Sequence, residues 1–119
     1  MIQIRQHGEN KQLYDMAVFI PFLEQRIHIQ QWKIAIEWCS GENSSEIEKS
    51  ADVPWFGNHE EFKDFYKGIF QTIDGEFFIV AIEGRVRMLA VDSSFWEIES
   101  DIPGIESDFL TTYGQHKVR

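Results

Sequence analysis

Residues 76–101 constrain the fold of this chain more than any other stretch. Glu76–Glu83 is apolar on both faces, the pattern of a strand in the middle of a sheet. Glu83-Gly84 then supplies a two-residue hairpin loop, with glycine for the positive φ that such loops need. This loop sets Phe77, Ile79 and Ala81 on one face with Val86, Met88 and Ala90, and it sets Ile82 opposite Arg85 and Val80 opposite Arg87. The next turn decides the third strand. A two-residue loop at Ser93-Ser94 would carry Glu97 onto the apolar face opposite Ala90. A three-residue loop, Asp92-Ser93-Ser94, instead sets Trp96 opposite Ala90, Ile98 opposite Met88, Glu99 opposite Arg87 and Asp101 opposite Arg85. A one-residue slip turns every side chain to the other face, so burial of Trp96 and Ile98 predicts the three-residue loop.

The rest of the chain adds strands and helices around this meander. Ile2 and Ile4 alternate with Gln3 and Arg5, a short strand. Trp32, Ile34, Ile36 and Trp38 alternate with Lys33, Ala35 and Glu37, a half-buried strand with all four large residues on one face. Residues 13–23 fit a strand or a short helix, and Pro21 argues against a helix running through. Ser40–Glu46 reads as a mobile loop, and Asp74-Gly75 reads as a turn. The main helix is predicted over 58–71. Asn58 caps it with Glu61 in capping-box position, and Phe62, Phe65, Tyr66, Ile69 and Phe70 form one apolar stripe. Pro103-Gly104 breaks the chain before a short C-terminal helix over 105–113. The expectation is a single α+β domain over 1–119. It has an antiparallel sheet of about five or six strands, with the 58–71 helix packed on one face.

Charge is distributed unevenly. Residues 1–41 hold four acids and four bases, and residues 62–87 again hold four of each. Residues 42–61 hold six acids against Lys49 alone, and residues 88–116 hold six acids and no base. These two segments produce the net charge of −9, trimmed by Lys117 and Arg119. Such segments repel nucleic acid and anionic membrane and attract basic surfaces. Phe, Trp and Tyr make up 14% of the chain, which excludes a disordered acidic tail as the source of the charge. No apolar run approaches the roughly 20 residues that span a bilayer, and the N-terminus has no signal-peptide core. A cytoplasmic protein of a reducing compartment is the expectation. The single cysteine, Cys39, is expected to be a buried, inert thiol.

Motifs of catalysis are absent from the sequence. His7, His28, His59 and His116 lie at least 21 residues apart, so no metal-ligand spacing arises. Glu97, Glu99 and Asp101 alternate on one strand face roughly 7 Å apart, but catalytic carboxylates face each other across a cleft. There is no phosphate-binding glycine loop, and no cofactor is implied. Trp55, in Val53-Pro54-Trp55-Phe56-Gly57, is either an apolar staple against the following helix or an exposed interface anchor.

The expected function is therefore that of a non-enzymatic binding domain that docks a basic protein. Its candidate docking residues are Glu46, Glu48, Asp52, Trp55, Glu97, Glu106 and Asp108. In composition the chain is similar to immunity and inhibitor proteins that neutralise basic toxins, nucleases included. That resemblance implies a basic toxin-like partner, and the acidic segments imply no binding of nucleic acid or membrane. A different class of function would be a small-molecule or enzymatic pocket lined by Trp32, Trp38, Phe78 or Trp96. A third is a structural homo-oligomer subunit, which would have to pair through a surface other than a like-charged acidic face.

Overall fold

The computed structural model describes residues 1–114, so His116, Lys117 and Arg119 lie outside the described residues. In chain order the elements are β1 (Ile2–Arg5), α1 (Met16–Glu24), β2 (Ile29–Gly41), α2 (Ser44–Glu48), β3 (Trp55–Asn58), α3 (His59–Phe65), β4 (Ile69–Ala81), β5 (Arg85–Val91), β6 (Phe95–Ser100) and α4 (Ile105–Tyr113). Short 3₁₀ turns occupy Glu9–Lys11 and Lys49–Ala51. The six strands form one antiparallel sheet in the order β1-β6-β5-β4-β2-β3, an α+β fold.

The three-residue turn forms as predicted. Ala90 pairs with Trp96, Met88 with Ile98 and Arg87 with Glu99. Asp92 and Ser93 adopt left-handed conformations (φ 51° and 55°), held by Asp92 N–H on the Asp74 carboxylate (2.8 Å) and Ser93 N–H on the Ile73 carbonyl (3.0 Å). Asp101 meets Arg85 through the backbone, its carboxylate accepting the Arg85 N–H at 2.7 Å.

The hairpin between β4 and β5 turns one residue earlier than predicted. Ala81 and Gly84 exchange backbone hydrogen bonds of 2.8 and 3.3 Å, so the loop is Ile82-Glu83, and Val80 faces Arg85. Register therefore moves by two residues, which keeps the apolar face but sets Arg87 opposite Phe78. The cause is a tie to the start of β2. The Glu83 carboxylate accepts the His28 backbone N–H at 2.8 Å and meets His28 Nδ1 at 2.6 Å, while Ile82 N–H donates to the His28 carbonyl at 3.0 Å.

Other expectations change as well. Helix α3 has the predicted capping box but ends at Phe65. Gly68 takes φ 88° and stops it, so Ile69 and Phe70 open β4 instead of continuing a helical stripe. Asp74-Gly75 lies inside β4, where glycine is needed because a Cβ at Gly75 would press on Ile36 of the neighbouring strand. Residues 16–24 are helical through Pro21, whose missing N–H leaves an exposed turn for water to satisfy. The acidic low-complexity patch is structured, with β2 running to Gly41 and α2 starting at Ser44.

Trp32, Ile34 and Ile36 point into the core as predicted, but Trp38 does not. A β-bulge at Glu37 shifts the pairing from Ile36–Gly75 to Trp38–Asp74. The extra residue reverses the alternation, so Trp38 is 55% exposed and Cys39 is buried.

Helices α1, α3 and α4 cover one face of the sheet. Phe19 stands edge-on to Trp96 and Phe109, and Phe62 lies parallel to Trp32 with ring centroids 3.7 Å apart. These rings fill the core together with Phe77, Met88, Ile79 and Ile98. Strand β3 covers the β2 edge only along Gln31–Ile34. Beyond it, the Ser50 hydroxyl accepts the Ile36 N–H (2.9 Å) and the Glu48 carboxylate accepts the Cys39 N–H (3.0 Å), so side chains complete the strand edge. Among the described residues no helix covers the opposite face of the sheet, where Lys33, Phe56 and Val80 are exposed.

Candidate functional site

The docking residues expected from sequence fall in four separate places. Glu46, Glu48 and Asp52 lie on the segment that caps the β2 edge. Glu46 pairs with Lys49 at 2.8 Å, and Asp52 is exposed after the 3₁₀ turn. Trp55 is half-buried and stacks on Phe65, centroids 4.6 Å apart and nearly parallel, so it acts as the apolar staple of α3. Glu97 lies on the uncovered face of β6, where Gln3 donates to it at 3.4 Å. Glu106 and Asp108 lie on α4. Glu106 accepts the Ser100 N–H (2.9 Å), which holds its carboxyl below the usual range, and it pairs with the N-terminal amine at 3.1 Å. Asp108 pairs with Arg26 at 3.1 Å.

What the fold does bring together is a different set of acids. Glu37, Asp74 and Glu76 converge on a hollow of about 380 Å³ on the uncovered face. Ala35, Leu89 and Val91 line its floor beside the backbone of Gly75 and Ala90, and Ala51 forms one wall. Trp38 is the cross-strand neighbour of Asp74 and stands beside the hollow as an exposed aromatic. Glu76 pairs with Arg87, which also lies 4.0 Å from Glu99. The sequence hides this group because the bulge at Glu37 and the extended backbone at Asp74-Gly75 both defeat simple periodicity.

Two polar clusters join elements of the helical layer, one buried and one at its surface. Asp15 is 2% exposed, accepts the Thr72 N–H (2.9 Å) and the Tyr66 hydroxyl (2.7 Å), and Tyr66 also bonds the Thr72 hydroxyl. Burial pushes the Asp15 carboxyl up to about 6, against the pull of those hydrogen bonds. Burial likewise raises the Tyr66 hydroxyl far above its ordinary value. The cluster ties α1, α3 and β4 together and is buried. In the second, Trp32 donates its indole N–H to His59 Nδ1 (3.0 Å), and His59 Nε2 meets Glu24 at 2.7 Å. The indole donor requires Nδ1 to be an acceptor, so the imidazole carries its proton on Nε2. Glu24 is held below the usual carboxylate range by that His59 bond, with Lys63 assisting.

Of the aromatics considered from sequence as a pocket lining, Trp32 and Phe78 border one groove of about 420 Å³, while Trp38 and Trp96 lie away from it. Trp32 and Trp96 are 1% and 0% exposed and filled into the core, while Trp38 and Phe78 lie on the uncovered face. Cys39 is buried and its thiol is pushed up to about 11 by burial. Among the described residues no group of three or more His, Cys, Asp or Glu could hold a metal ion, and no helix is long and apolar enough to cross a membrane. No protein-family model, curated protein or solved structure matches this chain.

Proposed function

We propose that this chain is a protein-binding domain that docks a basic protein through its acidic surface, in the manner of immunity and inhibitor proteins. The observation that carries the reading is the convergence of Glu37, Asp74 and Glu76 around a shallow hollow on a sheet face left bare of helices. Trp38 beside it supplies the exposed aromatic that interface cores favour. The surrounding acids, Glu97 and Glu99 on β6 and Asp92 at its turn, extend the attractive field. No nucleic acid or anionic membrane is expected to bind, because phosphate contacts rest on Lys and Arg tracks and this surface is acidic.

Glu46, Glu48, Asp74, Glu76, Glu106 and Asp108 are poor positions for testing this, since each already serves an intramolecular contact. Glu37 and Asp52 are exposed. Tagged protein should retain a basic protein from an extract of its own host at low salt and release it at high salt. The Glu37→Lys/Asp52→Lys variant should retain about tenfold less, with an unchanged melting temperature. Retention indifferent to both salt and the double reversal would refute the proposal.

A further inference from the structure

The uncovered sheet face is electrically divided along its strands. One end is the acidic hollow of Glu37, Asp74 and Glu76. The other end is an apolar groove of about 420 Å³ between Phe56, Phe78 and Val80, rimmed by Lys33 and Arg85, with Asp101 accepting the Arg85 backbone N–H at its outer margin. Phe56 and Val80 are 66% and 40% exposed. Lys33 Nζ lies 5.8 Å from the Phe56 ring centre and 5.7 Å from that of Phe78, within cation–π range of both. Among the described residues neither Lys33 nor Arg85 takes part in an ion pair, although the chain carries 20 acids and 11 bases. Exposed aromatic and aliphatic side chains rimmed by unpaired cations mark a surface that is completed by something acidic.

The acidic end of the same face is such a surface. We propose that two copies of this chain associate face to face through their uncovered sheets, about a twofold axis that lies in the interface and crosses the strands. An axis parallel to the strands would set acidic end on acidic end. An axis across the strands reverses the second copy along the strand direction, so each hollow meets the Lys33–Arg85 end of the other copy. The same patch then serves both copies, as an isologous contact requires. The two ends are spaced suitably, since Glu76 and Val80 are four residues apart on β4, about 13 Å by strand rise. Sheets packed in this way lie about 10 Å apart, which leaves room for the Phe56, Phe78 and Val80 side chains between them. The net charge of −9 opposes association only weakly at physiological salt, where charges beyond about 8 Å are screened. A basic partner would compete with the second copy for the acidic hollow, yet the pairing itself needs no partner and is tested without one.

Lys33 and Glu37 are both exposed and lie on the same strand, so they allow a charge-swap test. Sedimentation equilibrium at physiological salt, over about 10 to 500 µM, should show a monomer–dimer equilibrium for the native chain, in the range typical of weak polar interfaces. Lys33→Glu sets acid against acid and Glu37→Lys sets base against base, and each should weaken the dimer about tenfold. The double variant Lys33→Glu/Glu37→Lys restores opposite charges and should regain the native dimer. Arg85→Glu serves as a second weakening variant should Lys33→Glu fold poorly. A native chain that stays monomeric overturns the proposal. So does a dimer unmoved by the single reversals, or one that the double swap fails to restore.

Discussion

Truncating Phe62 to Ala is expected to destabilise the fold by about 3–5 kcal/mol, and truncating Phe65 by about 1–2 kcal/mol. Phe62 is fully buried and its ring packs on Trp32, Tyr66, Phe77 and Trp55. Its loss opens a cavity where α3 meets the sheet, and the flanking rings are too rigid to close it. Phe65 is only half-buried and leans on Trp55 at the margin of the core. Urea unfolding of the two variants gives the ratio directly. Equal losses would mean that α3 is seated on the sheet differently, with Phe65 turned inward.

Asp15 is expected to make this protein more stable near pH 5 than near pH 7. Its carboxyl titrates at about 6 in the fold and near its ordinary 3.8 when unfolded. Between those values the folded state binds more protons than the unfolded state, so stability falls as pH rises from about 4 to about 6 and stays reduced above that. A shift of about two units corresponds to roughly 3 kcal/mol. Other carboxylates titrate in the same range, so the readout is the difference between the native chain and Asp15→Asn, which cannot ionise. That difference should swing by roughly 3 kcal/mol between pH 4 and pH 7, with Asp15→Asn gaining relative to the native chain as pH rises. Asp15→Ala, by contrast, should cost about 2–4 kcal/mol near pH 5, because it leaves the Thr72 N–H and the Tyr66 hydroxyl without their acceptor. A pH profile of Asp15→Asn parallel to that of the native chain would show that the carboxyl is not desolvated as the fold implies.

The parts of the fold that were legible in sequence are those where one local rule dominates. Burial of Trp96 and Ile98 allows a single register for β6, and the Asn58–Glu61 capping box fixes the start of α3. Where tertiary contacts compete with a local rule, the sequence misleads. Gly75 has the look of a turn residue but is glycine because Ile36 crosses closely above it. The hairpin at Ile82-Glu83 is displaced by a carboxylate that binds His28, the residue just before β2, a contact 55 residues apart in the chain. The candidate site suffered most. The acids expected to dock a partner were chosen for sequence crowding, and several of them turn out to complete strand edges and helix termini. The acids that share a hollow come from positions 37, 74 and 76, within stretches whose charges balance in sequence. Only the pairing of β2 with β4, and the bulge that turns Trp38 outward, places them together.

The central claim is that the uncovered sheet face, and its acidic end in particular, is the surface that receives positive charge from a partner. A titration of the ¹⁵N-labelled protein with a short oligo-arginine peptide at low salt tests it most directly. Amide shifts should concentrate at Glu37, Trp38, Asp74, Gly75 and Glu76, and Glu37→Lys should abolish them while leaving the rest of the spectrum in place. Shifts centred instead on Glu24, Glu60 and Asp108 across the helical side, or spread evenly over all exposed acids, would contradict it.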